Sequence, residues 1–191
     1  MSKLDRDFYI RDPLEAAPAL LGKVVVHATG QGVLSGRIVE TEAYVAGDEA
    51  SHCTGGLTPR NCMLFGEPGH AYVYFIYGLH YCLNLVCHLP GIAGGVMIRA
   101  LEPLQGIDVM RHNRGRDELR GLCSGPGKLT QAMGIDLTHN GEDLLGDRLY
   151  VVDDGTDPGA VVSRPRIGIR LATEKPWRFY PEAWRQWVSK R

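Results

Sequence analysis

The run Val39-Glu40-Thr41-Glu42-Ala43-Tyr44 concentrates groups able to move a proton. In an extended strand alternate side chains face the same side, so Glu40, Glu42 and Tyr44 share one face and Thr41 and Ala43 the other. Two acids and a tyrosine there fit either a solvated strand edge or a carboxylate fixed as a general base beside one water. The second run is Tyr72-Val73-Tyr74-Phe75-Ile76-Tyr77-Gly78. Alternation puts Tyr72, Tyr74 and Ile76 on one face and Val73, Phe75 and Tyr77 on the other. A packed core strand accounts for any one of them. Three tyrosines before a glycine also suit flat heterocycles stacked on their faces, and an aromatic at a strand tip can wedge into a base stack. His52, alone in a loop, reads first as a surface or hydrogen-bonding residue. Residues 123–128, CSGPGK, offer successive backbone N–H groups and Lys128 at a helix start, a shape for a phosphate or for an ordinary tight turn. The P-loop pattern is not met, because Leu122 stands five before Gly127 and Leu129 follows Lys128, which disfavours nucleoside triphosphate hydrolysis.

These residues need a scaffold, and the surrounding sequence supplies its punctuation. Residues 12–22 read as a helix, with Asp12 as cap, Pro13 in the first turn, Glu15 completing a capping box and Gly22 at the stop. Residues 23–28 and 32–44 read as a hairpin turning at Thr29-Gly30-Gln31-Gly32. Residues 45–70 lack periodicity and form a long irregular loop, which in a compact domain signals function or disorder. Strands follow at 71–78, 81–87 and 94–103, the last ending at Pro103. Residues 104–114 suit a short helix, and 124–135 a turn feeding a helix that begins near Pro126 or Gly127. Residues 148–154 and 163–172 read as late strands, and 177–191 as a short docking helix. Strands in succession point to an α+β domain with a mainly antiparallel sheet.

Composition bounds the class. The 191 residues are 44% hydrophobic and 23% charged, which fits one globular domain, 1–191. No apolar run is long enough to span a bilayer, and the first residues lack a secretory core, so a cytoplasmic protein without a membrane role is expected. Net charge is −1, whereas a nucleic-acid partner calls for a basic contact face. Arg60, Arg99, Arg111, Arg114, Arg116, Arg120 and Lys128 fall mid-chain, and acids gather at 142–147 and 153–157, so overall charge does not decide the matter. The five cysteines, Cys53, Cys62, Cys82, Cys87 and Cys123, include no Cys-x-x-Cys pair. They read as buried reduced thiols rather than a zinc site.

Taken together, RIVETEAY (37–44), DEASHC (48–53), TPRN (58–61), YVYFIYG (72–78), YCLNL (81–85), IRALEPL (98–104) and CSGPGKL (123–129) give a chain that resembles the alkyladenine (3-methyladenine) DNA glycosylases of the non-helix-hairpin-helix type, from about Phe8 to Tyr180. The resemblance implies a single α+β domain whose curved, largely antiparallel sheet is flanked by short helices, with neither metal nor cofactor. It implies Glu42 as general base and Arg99 as support for the catalytic water and phosphate. Tyr44, His52 and Tyr74 would sandwich the flipped base, and Asn84 would reject the 2-amino group of guanine. Tyr77 would fill the gap left in the duplex, with Arg60 and Lys128 as further DNA contacts. The implied partner is double-stranded DNA carrying damaged purines, met by a monomer. The VETEAY segment holds no lysine to form a Schiff base, so a monofunctional enzyme that leaves an abasic site is expected. The chain is expected to act without the basic N-terminal extension found in some members of the family. Three rivals remain: a damage-binding module without catalysis, a zinc deaminase, which lacks its H-x-E and P-C-x-x-C signatures here, and a helix-hairpin-helix glycosylase, whose all-helical scaffold does not fit the strand-rich middle.

Overall fold

The β-branched run Val24-Val25-Val26 and the Gly-rich turn after it open the sheet, as the sequence predicts. A computed structural model describes residues 1–189. Among these the strands are β1 (Ser2–Lys3), β2 (Val24–Thr29), β3 (Gly32–Tyr44), β4 (Ala71–Ile76), β5 (His80–Val86), β6 (Gly95–Gln105), β7 (Leu149–Asp153), β8 (Val161–Arg164) and β9 (Arg178–Pro181). The helices are α1 (Arg6–Tyr9), α2 (Pro13–Ala19), α3 (Ile107–Arg114), α4 (Leu119–Leu122) and α5 (Pro126–Met133). All strands join one sheet in the order β1-β7-β2-β3-β6-β5-β4, with β9 alongside the second half of β3 and β8 beyond it. Every ladder is antiparallel, and the sheet curls, with the short helices against it, which is the α+β architecture expected.

Period-two alternation divides the sheet into a core face and a cavity face. Val73 of β4, Leu83 and Leu85 of β5, Val96 and Ile98 of β6 and Ala43 of β3 enter one hydrophobic core with Leu20, Leu129 and Met133 from the helix side. Their neighbours Tyr72 and Tyr74, Cys82 and Asn84, Met97 and Arg99, and Tyr44 line a cavity on the opposite face. Thr41 marks the core side of β3, because its hydroxyl donates to Ala17 O of α2 at 2.9 Å. The register of β3 on β6 shifts between Ile38 and Glu40 and again between Glu40 and Thr41. Irregularities of this kind re-aim side chains and are common beside active sites.

Several boundaries differ from the sequence reading. β6 runs through Pro103 to Gln105 instead of stopping there. Pro103 stands opposite Gly36, at a register shift where a missing N–H is tolerated. The strand expected at 163–172 stops at Arg164, since Pro165 has no N–H for a ladder and Gly168 takes a positive φ of 80°. The aromatic tail gives β9 and then a 3-10 segment, Glu182–Trp187, in place of an α-helix, and its last two residues lie outside those described. Asp12 does cap α2, accepting from Leu14 N–H at 2.8 Å, but Glu15 takes no part. Cys62 is exposed while the other four thiols are buried, and all five are free.

Candidate active site

Tyr72, Tyr74, Asn84, Met97 and Arg99 converge on a cavity of about 450 Å³ because their strands are neighbours and in register. Asn84 pairs directly with Tyr72 on one side and Met97 on the other. Its amide donates to Tyr72 O at 3.1 Å, which fixes its position in the cavity wall. Tyr74 meets His52 with ring centroids 4.4 Å apart. His52 Nδ1 and the Tyr72 hydroxyl share a hydrogen bond of 3.0 Å. Burial, and then Arg60 nearby, hold His52 below the ordinary histidine value, so its ring is neutral at physiological pH. The long loop therefore serves the site: Asn61 ties it together by donating to His52 O and Gly56 O, each at 2.8 Å.

Glu42 is 0% exposed and does not itself face the cavity. Each of its three partners does. Tyr44 hydroxyl donates to Oε2 at 2.9 Å, Arg99 Nη1 donates to Oε2 at 3.1 Å, and Ile167 N–H donates to Oε1 at 2.8 Å. Burial pushes the Glu42 carboxyl up from the ordinary carboxylate value, while Arg99, the Ile167 N–H and the Tyr44 hydroxyl pull it down. Tyr44 is raised well above its usual value, first by burial and then by Glu42. Arg99 is 5% exposed, and its contacts are Glu42, Glu40, Ser189 and Ile167 O.

Tyr77 departs from the strand face that alternation assigned to it. It leaves β4 and takes a left-handed φ of 54°, followed by Gly78 at 68°, so the hairpin tip presents Tyr77 at the cavity mouth, 74% exposed. A bulky residue at positive φ is strained, and such strain concentrates at functional sites. Arg60 donates to Phe75 O at 3.3 Å and lies 5.8 Å from the Tyr74 ring centroid. Lys128 is exposed on α5, just outside the cavity wall. The start of α5 reaches that wall because Gly127 has no side chain: a Cβ there would stand 2.7 Å from Cγ of His80.

The sequence reading missed the wall opposite the tyrosines. Ile167, Gly168, Ile169, Arg170 and Leu171 line the cavity from the segment expected to be a strand. Arg166 anchors it, bonding Asp48 at 2.9 Å and Ala43 O at 3.1 Å, with its guanidinium 4.8 Å from the Tyr44 ring centroid. Only the pairing of buried Asp48 in DEASHC with an arginine far along the chain would have revealed it. Among the described residues, no group of three or more His, Cys, Asp and Glu is placed to hold a metal ion.

A family model described as methylpurine-DNA glycosylase matches residues 7–184. The chain is 48% identical over 183 residues to a protein of Chlorobium phaeobacteroides, covering 94% of this chain and 92% of that protein. It is 49% identical over 181 residues to one of Chlorobaculum tepidum, covering 93% and 87%. It is 50% identical over 183 residues to one of Burkholderia lata, covering 92% and 86%. All three relatives carry the provisional name 3-methyladenine DNA glycosylase.

Proposed function

Because this chain belongs to the methylpurine-DNA glycosylase family, we propose that it swings an alkylated or deaminated purine nucleotide out of duplex DNA and hydrolyses its N-glycosidic bond with a water activated by Glu42. The chain is a purine DNA N-glycosylase of DNA repair. We propose that it acts as one domain spanning 1–191, as a monomer in the cytoplasm.

The glycosidic bond is out of reach inside a helix, so the nucleotide must leave the stack at a cost of a few kcal/mol. Tyr77 offsets part of that by entering the gap from the hairpin tip. Stacking on Tyr44 and Tyr74 returns about 1–3 kcal/mol per aromatic contact, and a cationic base such as 3-methyladenine gains further on their π faces. Asn84, held by Tyr72 O, crowds the position that a 2-amino group would take.

The bond breaks through an oxocarbenium-like sugar. As C1′–N9 opens, its electron pair leaves with the base. The water oxygen bonds C1′ and one water proton passes to Glu42. The carboxylate also stabilises the positive sugar, provided it is ionised. The observation that carries this reading is the position of Glu42, directly behind the aromatic cavity, with all three of its hydrogen-bond partners in the cavity wall. The attacking water reaches Glu42 only by displacing one of those partners, since both carboxylate oxygens are bonded and the residue is fully buried.

Duplexes containing 3-methyladenine, 7-methylguanine, hypoxanthine or ethenoadenine, incubated with protein and then alkali, test it. Wild type is expected to give strand breaks only after alkali, as a monofunctional enzyme must. E42Q is expected to lose 10²–10⁴-fold in excision while still binding an abasic-site duplex. Turnover by E42Q within about tenfold of wild type would remove Glu42 from its role, and strand breaks without alkali would overturn the monofunctional assignment.

A further inference from the structure

Ser189 lies beyond residue 184, the last that the family match covers, yet it is buried, at 8% exposed, behind Glu42. Its N–H donates to Glu40 Oε2 at 2.7 Å and its hydroxyl donates to Glu40 Oε1 at 3.0 Å. The same hydroxyl oxygen accepts from Arg99 Nη2 at 3.3 Å. Arg99 stands between two fully buried carboxylates, with Nη1 on Glu42 at 3.1 Å and Nε 3.5 Å from Glu40. Nε makes no hydrogen bond among the described residues.

The two acids thus compete for one guanidinium, and the supply of other donors decides the contest. Arg178 donates to Glu40 Oε1 at 2.9 Å. With the two Ser189 donors, Glu40 is satisfied without Arg99, and Arg99 Nη1 is left for Glu42. Removing the hydroxyl strips Glu40 of a donor and Arg99 Nη2 of an acceptor at once, and both groups are buried. An unsatisfied buried charge is costly, and the nearest repair is for Arg99 to turn toward Glu40 and away from Glu42. We propose that Ser189 is a positioning residue for the glycosylase reaction, its hydroxyl holding Arg99 on Glu42 instead of on Glu40.

This rests on Glu42 being the base, and it predicts a pH signature. Glu42 faces Tyr44 on its own strand, Glu40 beside it, Tyr74 on β4, Cys82 on β5, Arg99 on β6, and Arg166 and the Ile167 N–H on the segment before β9. Arg99 is the strongest of the groups that favour its ionised form. Turning Arg99 away therefore moves the acid limb of excision to higher pH.

The test is single-turnover excision against pH for full-length wild type, S189A, S189T and E42Q, with affinity for an abasic-site duplex measured alongside. S189A is expected to be about tenfold slower on the acid side of the profile, the ratio that a limb displaced by about one pH unit gives. Its acid limb should sit at higher pH, its rate should approach wild type in alkali, and its affinity should be unchanged. The hydroxyl of S189T should bring rate and limb back to within about twofold of wild type. A wild-type profile for S189A, an equal slowing at every pH, or an unfolded S189A each overturns the proposal. Should E42Q keep turning over, the general-base reading fails first. An inactive E42Q beside a wild-type S189A defeats the Ser189 role alone.

Discussion

At the scale of single residues, Glu42 combines full burial with three accepted hydrogen bonds. Burial raises its carboxyl, and only the ionised form can take a proton from water. Excision should therefore be present above the raised value and lost as pH falls through it. A single-turnover pH profile should show an acid limb above about 4.3, the ordinary glutamate value. A limb at or below that value would mean that another group takes the proton. Tyr77 divides the labour differently, for it has no contact with Glu42 and stands 74% exposed at a strained turn beside Leu79, itself 77% exposed. Y77A should lower the extruded fraction of an ethenoadenine nucleotide, followed by stopped-flow fluorescence, far more than it slows bond cleavage once extruded. An unchanged flipping equilibrium would assign the wedge to a neighbour such as Leu79.

At the scale of elements, the site depends on a clasp between two segments without regular structure. Asp48 in the long loop and Arg166 in the segment after β8 form an ion pair with both side chains fully buried. Asp48 is held below its ordinary value, because the hydrogen bonds and charge of Arg166 overcome the cost of burial. Its stabilising contribution is therefore present above the unfolded-state value and disappears as pH falls through the lower folded-state one. D48A leaves Arg166 buried without its partner and should lower stability by about 3–5 kcal/mol, read from denaturant melts. It should also loosen Ile167 and slow excision. A stable D48A with normal excision would show that the wall is held by its backbone alone. This clasp explains what was legible beforehand. Alternation grouped Glu42 with Tyr44 on β3 and Tyr72 with Tyr74 on β4, because period two is a local property. Asn84 and Arg99, and the roles of Glu42, Tyr44 and Tyr74, came from the family resemblance and not from alternation. Arg166, Ile167 and Ser189 were not legible, since their roles come from contacts with Asp48, Glu42 and Glu40 more than a hundred residues earlier. Tyr77 was assigned to the wrong face because a turn, with positive φ at two successive residues, ends the alternation just before it.

At the scale of the whole molecule, the near-zero net charge hides a contrast between paired acids and exposed cations. Asp147, Asp153 and Asp154 are partnered along the β1-β7-β2 edge by Lys3, Lys23 and Arg37, and Asp143 and Glu142, whose backbone meets the start of β4, are partnered by Arg6 and Arg148. The cavity opens toward the other side of the sheet, where β5 and β4 end the order. Exposed Arg60, Arg170 and Lys128 stand around it. A duplex drawn to that mouth meets cations whose counterions it can release, and the paired edge contributes little. Each phosphate contact adds about 0.9 to the slope of log affinity against log salt. K128A and R170A should therefore each flatten that slope by about one. They should weaken damaged and undamaged duplexes alike and leave excision at saturating protein near wild type. D147N at the far edge should leave the slope as it was. Fluorescence anisotropy titrations at several salt concentrations separate the cases. A slope that responds to D147N and ignores both mouth variants would place the DNA on the β1-β7-β2 edge, out of reach of Tyr77.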